Sequence, residues 1–394
     1  MPNSMRELQR SRHAFRRRTR KIMVIKKAWN CYLQDQNDKV LIDCTMGSGA
    51  QIIGHGNRLA KKISQQVKKG TIYTVPNSYV EEVEFLLKTY INPDLNNQYI
   101  FCSTGTEANM RAIRLARAYT GKSLIGKFDG GWHGGIDGLI ESAGVPDETN
   151  NLFKTLPYNE DSCFDKITKD FAAVIIEPTQ GSNPRGDVGS FLQKLQKHCK
   201  QKGVLLIVDE VMTGFRVAAT GGCGIFNIKP DIVTYGKVLG GGFPIGVVGA
   251  SSQIAKTKNV FYGGTFSANP LSMYAAKLIL DTIVNKKYIR YPNLDFVGSL
   301  FRERLNRFFG EQQVNMQAIG CGPVNRLVFT NKYIKSKKDR DLLETQDQNS
   351  FYNKLKLNGV FINSNRIIQF SMSHTTEVID KLVKCIVKTV QENK

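Results

Sequence analysis

The sequence predicts an α/β fold, with a large domain of mainly parallel sheet sandwiched by helices and a smaller α+β carboxyl-terminal domain. Short apolar runs alternate with helical patterns through the first two thirds of the chain. Several of these runs end abruptly in polar residues, as buried parallel strands do. We expect a basic arm and hairpin over residues 1–45, the large domain over 46–285 and the small domain over 286–394.

The composition is typical of a globular protein, apart from its charge. Hydrophobic residues make up 41% of the 394 residues, and no apolar run is long enough to span a bilayer. The 8 cysteines are scattered without metal-ligand spacing, so we expect no metal site and a reducing, cytoplasmic location. The net charge of +21 would attract anionic partners, but it is spread over many Lys-rich segments. Arg16–Lys21 is a concentrated basic run.

The predicted elements follow in chain order. Residues 1–22 form a polar, basic arm, and residues 23–42 alternate around a turn at Asp35–Asp38, which predicts a hairpin. Residues 45–56 form a glycine-rich connection. Helices are predicted at 58–69, 78–91, 106–121, 191–201, 271–285, 297–309, 349–357 and from 376, and strands at 99–102, 124–128, 172–176, 204–208, 232–235, 325–330 and within 359–370.

Asp209 and Lys237 each follow a short apolar strand pattern, and open α/β sheets bind ligands at the carboxyl ends of their strands. An aspartate among apolar residues needs a cationic partner, such as a protonated pyridine nitrogen. A lysine amine condenses with an aldehyde to form a Schiff base. Pyridoxal 5′-phosphate meets both demands. Taken alone, either residue would be explained as well by a turn cap or a surface charge.

Two further turns are suited to a flat, phosphorylated ligand. The turn Ser103–Thr106 opens a helix, so backbone N–H groups and the positive end of the helix dipole favour a phosphate there. Thr106 is equally competent as a helix cap. The turn fits neither the GxxxxGK[ST] nor the GxGxxG pattern. Trp132, beside His133 and flanked by glycines, offers a face that can stack on a planar ring.

Six blocks together resemble the class III family of pyridoxal-phosphate-dependent aminotransferases, and within it the glutamate-1-semialdehyde 2,1-aminomutase branch. They occur in the family's order and spacing over most of residues 30–275. The resemblance implies fold type I, pyridoxal 5′-phosphate as cofactor, a small-molecule amino donor and carbonyl acceptor, and a homodimer with shared active sites. The blocks are STGTEANMRAIRLARAYTG, KFDGGWHGG, VIIEPTQG, VLLIVDEVMTGFR, PDIVTYGKVLGGGFPIG and GGTFSANPLSMYAA.

The resemblance also implies roles for single residues. Lys237 matches the Schiff-base lysine and Asp209 the partner of the pyridine nitrogen, so both are expected to be catalytic. The other implied cofactor contacts are Ser103, Gly105 and Thr106 at the phosphate, Trp132 and His133 at the stacking position, Glu177 before a proline, Val211 against the ring, and Thr265, which reaches the neighbouring subunit's phosphate.

Departures from the aminomutase branch concern the substrate. His13 replaces an arginine that helps to hold the substrate carboxylate, the loop within Glu141–Tyr158 is shorter, and an acid expected near Arg366 is missing. A mutase must retain its intermediate, whereas a transaminase releases a keto product, so these departures favour an intermolecular aminotransferase. The alternative is an aminomutase that makes 5-aminolevulinate. Candidate substrate contacts are Arg12, His13, Ser182, Asn183 and Arg366.

Two other hypotheses remain open from the sequence. A nucleic-acid binder built on an enzyme scaffold would show salt-dependent duplex binding that is lost without residues 1–22. Because Lys237, Asp209, Thr106 and Thr265 are all present, we expect an enzyme and no nucleic-acid partner. Alternatively, the same cofactor could serve decarboxylation or racemisation, since the bond that breaks depends on how the substrate is oriented.

Overall fold

The computed structural model describes residues 23–57, 59–73, 75–91, 97–285, 289–344 and 348–393. The predicted basic arm, with Arg12 and His13, lies outside these residues. Within the described ranges, no helix is long and apolar enough to cross a bilayer. The same ranges contain no group of three or more His, Cys, Asp or Glu side chains that could hold a metal ion.

The strands belong to three sheets. Their bounds are β1 Ile25–Trp29, β2 Tyr32–Asp35, β3 Val40–Asp43, β4 Asn97–Cys102, β5 Leu124–Phe128, β6 Phe153–Leu156, β7 Phe171–Ile176, β8 Leu205–Asp209, β9 Ile232–Tyr235, β10 Gly246–Ser251, β11 Gln317–Cys321, β12 Val324–Val328, β13 Val360–Phe361 and β14 Ile368–Gln369.

The α-helices are α1 Ala60–Val67, α2 Ser78–Leu86, α3 Gly105–Thr120, α4 Asp147–Asn151, α5 Gly189–Lys202, α6 Gly221–Phe226, α7 Ser252–Ala255, α8 Pro270–Val284, α9 Tyr291–Glu311, α10 Lys337–Leu343, α11 Gln348–Leu357 and α12 Thr376–Gln391. The pattern at 78–91 becomes a π-helical turn after residue 86. Short 3₁₀ turns cover Asp161–Lys166 and Lys237–Gly240, and a brief helical turn, Met46–Gly49, lies in the predicted glycine-rich connection.

The central sheet has the order β4-β10-β9-β8-β7-β5-β6. The strands from β9 to β6 are parallel, while β10 is antiparallel to both of its neighbours. Alternate residues of β7 face opposite sides, because side chains alternate along a strand. Ile175 packs in one core with α3, and Val174 in another with α5. This architecture confirms the predicted α/β fold, with a mainly parallel sheet between helices.

The amino-terminal segment is more elaborate than the predicted hairpin. It forms three strands, because a tight turn at Asn30 separates β1 from β2. The φ of Asn30 is +48°, a conformation that asparagine tolerates better than most residues. A two-residue strand from the carboxyl-terminal part, β13, pairs in parallel with β3. Cys31 and Ile42 accordingly share one hydrophobic core with Phe301 and Leu382.

The predicted strand region within 359–370 also divides. Its first part, β13, joins the amino-terminal sheet, and its second part, β14, pairs with β12 in a separate three-stranded sheet. Both pieces are only two residues long, so their partners depend on tertiary contacts rather than on local sequence pattern.

Candidate active site

Asp209 and Lys237 lie at one edge of the central sheet. Asp209 is the last residue of β8 and pairs in register with Thr234 of β9, and Lys237 follows two residues after β9. The φ of Lys237 is +41°, an uncommon value for a residue with a side chain. A cavity of about 160 Å³ at this edge is lined by Gly105, Thr106, Asn109, Trp132, His133, Gly134, Glu177, Asp209, Val211, Met212 and Lys237.

The Asp209 carboxylate is buried but has several hydrogen-bond partners. Its Oδ2 accepts a hydrogen bond of 2.7 Å from Nδ2 of Asn109 and lies 2.8 Å from Nδ1 of His133. Its Oδ1 accepts one of 2.9 Å from the N–H of Val211. Donors of this kind stabilise a buried negative charge, which can then attract a cationic group of a ligand.

Lys237 and Glu177 line the same cavity, and the pKa of each differs from its ordinary value. Burial lowers the pKa of Lys237, and the nearby carboxylates of Asp209 and Glu177 oppose this shift. A lower pKa favours the neutral amine, which is the nucleophilic form of a lysine. Burial raises the pKa of Glu177 to about 7, and the charge of Asp209 contributes to the rise.

The phosphate turn differs in one detail from the expectation. Thr104, not Thr106, caps α3, since its backbone is extended and its Oγ1 accepts a hydrogen bond of 3.1 Å from the N–H of Glu107. The Glu107 carboxylate in turn accepts a hydrogen bond from the N–H of Ser103. Thr106 lies inside the first helical turn, whose leading N–H groups have no acceptor within the helix.

Gly105 and Gly134 are places where a side chain would not fit. A Cβ at position 105 would lie 2.6 Å from Cγ1 of Val211, and a Cβ at 134 would lie 2.3 Å from Oγ1 of Thr106. The two glycines therefore keep space at the cavity wall beside the amino end of α3. Small residues let a ligand approach the backbone closely.

Trp132 and His133 form the opposite part of the wall. The N–H of Trp132 donates a hydrogen bond of 2.9 Å to Oε2 of Glu177, while the side chain of Trp132 is 57% exposed. His133 is buried, and among the described residues its Nε2 has no hydrogen-bond partner. A buried ring nitrogen beside the cavity is suited to a polar ligand atom.

Five other predicted site residues that the structure describes lie outside the cavity lining, namely Ser103, Ser182, Asn183, Thr265 and Arg366. Ser103 precedes the cap of α3, and Thr265 is exposed in the loop before α8. Oγ of Ser182 donates to the carbonyl of Gly130 at 2.7 Å. Asn183 is fully buried, with no partner for either atom of its amide among the described residues.

Arg366, a candidate for binding a substrate carboxylate, packs within the carboxyl-terminal part. Its guanidinium lies 5.2 Å from the ring centroid of Tyr352 and donates hydrogen bonds to Gln348 and Asn349 of α11. The structure therefore places Arg366 with α11 and not in the cavity lining that contains Lys237.

Three residues of the cavity were not predicted from the sequence, namely Asn109, Met212 and Gly134. Thr234, which forms a hydrogen bond with Asn109, was not predicted either. Oγ1 of Thr234 donates a hydrogen bond of 2.7 Å to Oδ1 of Asn109, which leaves the Asn109 amide nitrogen directed at Asp209. The available signal was spacing, since Asn109 lies four residues after Gly105 and so on the same face of α3.

The chain is similar to known proteins over most of its length. The family model "Aminotransferase class-III" matches residues 14–390. A glutamate-1-semialdehyde 2,1-aminomutase of Sulfolobus acidocaldarius is 33% identical over 394 aligned residues, covering 93% of this chain and 92% of the relative. The enzyme of the same name from Pyrobaculum aerophilum is 37% identical over 295 residues, covering 69% of each chain. These relatives support the aminomutase branch.

Solved structures share the fold. An omega-transaminase from Sphaerobacter thermophilus superposes with a TM-score of 0.86 at 24% identity, covering 94% of this chain and 91% of the other. A β-phenylalanine aminotransferase from Variovorax paradoxus gives a TM-score of 0.84 at 26% identity, covering 94% and 87%. The chain therefore has the fold of these transaminases.

The residues present fit pyridoxal 5′-phosphate. The cavity combines a buried carboxylate for the ring nitrogen, a lysine amine for the aldehyde, and the amino end of a helix for the phosphate. The unpartnered Nε2 of His133 and the space kept by Gly105 are further features that a bound cofactor would account for. The chain belongs to the class III aminotransferase family and is a pyridoxal-phosphate-dependent enzyme.

Proposed function

We propose that this enzyme is an intermolecular aminotransferase of aminomutase-like build, which moves an amino group from a small-molecule donor to a carbonyl acceptor. The observation that carries the proposal is that Lys237 and Asp209 line one cavity, with Asp209 held by Asn109 and His133. This pairing of a nucleophilic amine with a buried carboxylate is what the chemistry requires.

Each functional residue of the cavity would have a separate role in the reaction. When bound, the cofactor supplies an electron sink for a substrate carbanion. Asp209 would keep the proton on the ring nitrogen, and His133 and Asn109 would hold the Asp209 carboxylate in place. Nζ of Lys237, whose pKa is lowered by burial, would take a proton from the substrate carbon and return it. The turn at Gly105 and Thr106 would bind the phosphate through backbone N–H groups.

Two features of the chain where the substrate is expected to bind favour transamination over the aminomutase reaction. The acid that the aminomutase branch carries near Arg366 is missing from this chain, and the guanidinium of Arg366 packs on Tyr352. The segment between Glu141 and Tyr158 is short and includes α4 and β6, which leaves little chain for a sealing loop. Both features favour an enzyme that releases a keto product between half-reactions.

Glutamate-1-semialdehyde 2,1-aminomutase is the second candidate. The observation that favours it is that relatives 30–37% identical to this chain are glutamate-1-semialdehyde 2,1-aminomutases. That reaction uses the same Lys237 and Asp209 and differs in needing no external donor. The cavity residues alone are compatible with both reactions.

The test is a spectrum of the purified protein, followed by amino donors added singly and then by glutamate-1-semialdehyde. A band at about 420 nm that converts to one at about 330 nm, with release of a keto acid, is the expected result for transamination. Formation of 5-aminolevulinate without a donor would replace the first candidate by the second. A protein that never binds the cofactor would contradict both.

We propose further that the enzyme is a homodimer in which Thr265 completes the partner's phosphate site. Thr265 is exposed in a loop that also exposes Phe266, at 61%, close to the exposed Phe261, at 72%. Exposed aromatic residues of this size commonly mark an interface. Light scattering should give twice the monomer mass, and Thr265→Ala should weaken cofactor binding without lowering that mass; a monomer would contradict the proposal.

A cytoplasmic location is also proposed, and it is supported by the cysteines. All 8 are free, and 7 of them are buried. Unpaired buried thiols are typical of reducing compartments. Fractionation of the source cells should recover the protein in the cytosolic fraction, and recovery with an extracellular or membrane fraction would contradict this location.

A further inference from the structure

Three hydrogen bonds hold the turn that carries Trp132 to the segment 177–182. Glu177 accepts from the N–H of Trp132 at 2.9 Å, and Nε2 of Gln180 donates to the carbonyl of Asp129 at 2.7 Å. Oγ of Ser182 donates to the carbonyl of Gly130, also at 2.7 Å. The segment directly follows β7, in which every residue is buried. Because that strand is fixed in the core, the segment can hold the turn in position.

Glu177 differs from the other two supports because its side chain ionises. Its carboxyl is 5% exposed and lines the cavity together with Trp132. A carboxylate accepts a backbone hydrogen bond roughly twice as strongly as a neutral acceptor. The charge on Glu177 therefore decides how firmly the N–H of Trp132 is held, whereas the contacts of Gln180 and Ser182 do not vary with charge.

Within the part of the chain that the structure describes, no hydrogen bond holds the ring of Trp132 in the same way. It is 57% exposed at the cavity, while its backbone is fixed on one side by Glu177 and on the other by His133. The carbonyl of His133 accepts a hydrogen bond of 3.0 Å from Asn109, and its ring lies against Asp209. The orientation of the Trp132 ring thus depends on a backbone held at residues 132 and 133.

We propose that Glu177 is a positioning residue, whose carboxylate fixes the Trp132 ring at the cavity and whose loss of charge releases that ring. The inference deepens the proposed function, because Trp132 is the residue expected to stack on the cofactor. A more mobile Trp132 would present a less well-ordered face to a flat ring. The position of that face would then depend on pH within the range in which Glu177 titrates.

Other ionisable groups close to Glu177 influence the pH at which its carboxyl group loses its proton. His133, Asp209 and Lys237 line the cavity together with Glu177. Tyr158, after β6, interacts electrostatically with Glu177 and donates a hydrogen bond to the carbonyl of Pro178. Burial and the charge of Asp209 raise the pKa of Glu177 to about 7, while His133 and Lys237 oppose the rise. A change near pH 7 is therefore expected from Glu177.

The experiment uses fluorescence anisotropy of Trp132 in the full-length protein. The chain has 2 tryptophans, so Trp29→Phe leaves Trp132 as the single reporter. Anisotropy is followed from pH 5 to 9 in the protein without cofactor and again with pyridoxal 5′-phosphate bound. We expect it to fall as the pH is lowered through about 7. Glu177→Gln, which keeps the shape but has no charge, should show the low value at every pH.

Two further variants separate the possible causes. Ser182→Ala removes a neutral support, so it should lower the anisotropy at all pH values and keep the transition. His133→Gln should also keep the transition if Glu177 is responsible. A flat profile in the Trp29→Phe protein, or a transition that survives Glu177→Gln and disappears with His133→Gln, would overturn the inference. Cofactor uptake is measured separately by absorbance, so failure of the proposed function would be visible as a protein that never binds the cofactor.

Discussion

Nδ1 of His133 lies 2.8 Å from Oδ2 of Asp209, and both side chains are buried. The same oxygen accepts from Nδ2 of Asn109, so two residues from different elements converge on one carboxylate atom. A carboxylate with two such partners has little freedom to reorient. The arrangement fixes the negative charge at the edge of the sheet where the cofactor is expected.

Asp209→Asn should weaken cofactor binding strongly. The amide removes the charge and places a donor against Asn109 and His133, and hydrogen bonds to charged groups contribute about 1.5–3 kcal/mol each. We expect a loss of affinity of at least about tenfold. The measurement is a titration of the protein with pyridoxal 5′-phosphate followed by absorbance.

Asp231→Asn is the matched control for this substitution. Asp231 is an exposed acid directly before β9 that accepts a hydrogen bond from the N–H of Leu206, and it does not line the cavity. Its substitution should change stability and leave cofactor affinity nearly unchanged. Equal losses in the two variants would show that Asp209 acts only through folding.

Gly105→Ala should close part of the proposed phosphate site. The new methyl group would lie 2.6 Å from Cγ1 of Val211, so either Val211 or the start of α3 must shift. A displacement of this kind should raise the dissociation constant of the cofactor about tenfold or more, because positioned N–H groups lose alignment. Gly135→Ala is the control, since a Cβ there meets nothing within 4 Å. Unchanged binding in Gly105→Ala would contradict the assignment.

Asp43→Asn should destabilise the fold away from the cavity. Oδ1 of Asp43 accepts from the N–H and hydroxyl of Thr45 at 2.8 and 2.7 Å, and Oδ2 lies 2.8 Å from Nε2 of His55. Burial alone would raise the pKa of Asp43, but the hydrogen bonds from His55 and Thr45 outweigh it and lower the pKa below 3.8. We expect a loss of about 2–3 kcal/mol in the free energy of unfolding at pH 7, measured by urea denaturation.

The pH dependence of this loss follows from the direction of the shift. Because the pKa is lower in the folded protein, the stabilisation by Asp43 is present above pH 3.8 and disappears as the pH falls through the folded-state value. The difference between wild type and Asp43→Asn should therefore shrink in strong acid. Asp35→Asn, in a half-buried turn of the same sheet, should cost less at pH 7.

Arg216→Met should loosen the connection between two segments that meet beside the cavity. Arg216 is fully buried, and its guanidinium donates to the carbonyls of Gly49 at 2.6 Å and Phe370 at 2.9 Å. Loss of both bonds leaves two carbonyls without these donors, at an expected cost of about 2–4 kcal/mol in unfolding free energy. Arg307→Met, an exposed arginine of α9, should change stability by less than about 1 kcal/mol. Thermal unfolding of both variants tests the difference.

The sequence was informative where local patterns have one physical meaning. Wholly apolar runs such as residues 172–176 can be satisfied only by burial on both faces, so the parallel strands were predicted closely. Gly121 ended the helix at the predicted place, because its φ of +70° suits glycine. Lys237 and Asp209 were recognisable because polar residues directly after buried strands lie at the ligand-binding edge.

Other features depend on contacts between distant residues. No local pattern distinguishes Thr104 from Thr106 as the helix cap, since both are threonines in one turn and the backbone conformation decides. The pairing of β13 with β3 joins residues more than three hundred positions apart, and the two residues of β13 are too few to specify a partner. The role of Thr234 could not be predicted from the sequence, because it depends on a hydrogen bond to Asn109, which belongs to a different element.

The α/β class and the two residues central to the chemistry could be predicted from burial periodicity and from residues placed at strand ends, and the family from the resemblance of six sequence blocks. Tertiary structure alone decided which side chains surround Asp209, why Arg366 lies against α11, and how Glu177 comes to hold Trp132. The physical reason is the same in each case. Hydrogen bonds and burial act between atoms that are close in space, and the chain brings those atoms together only when its elements pack.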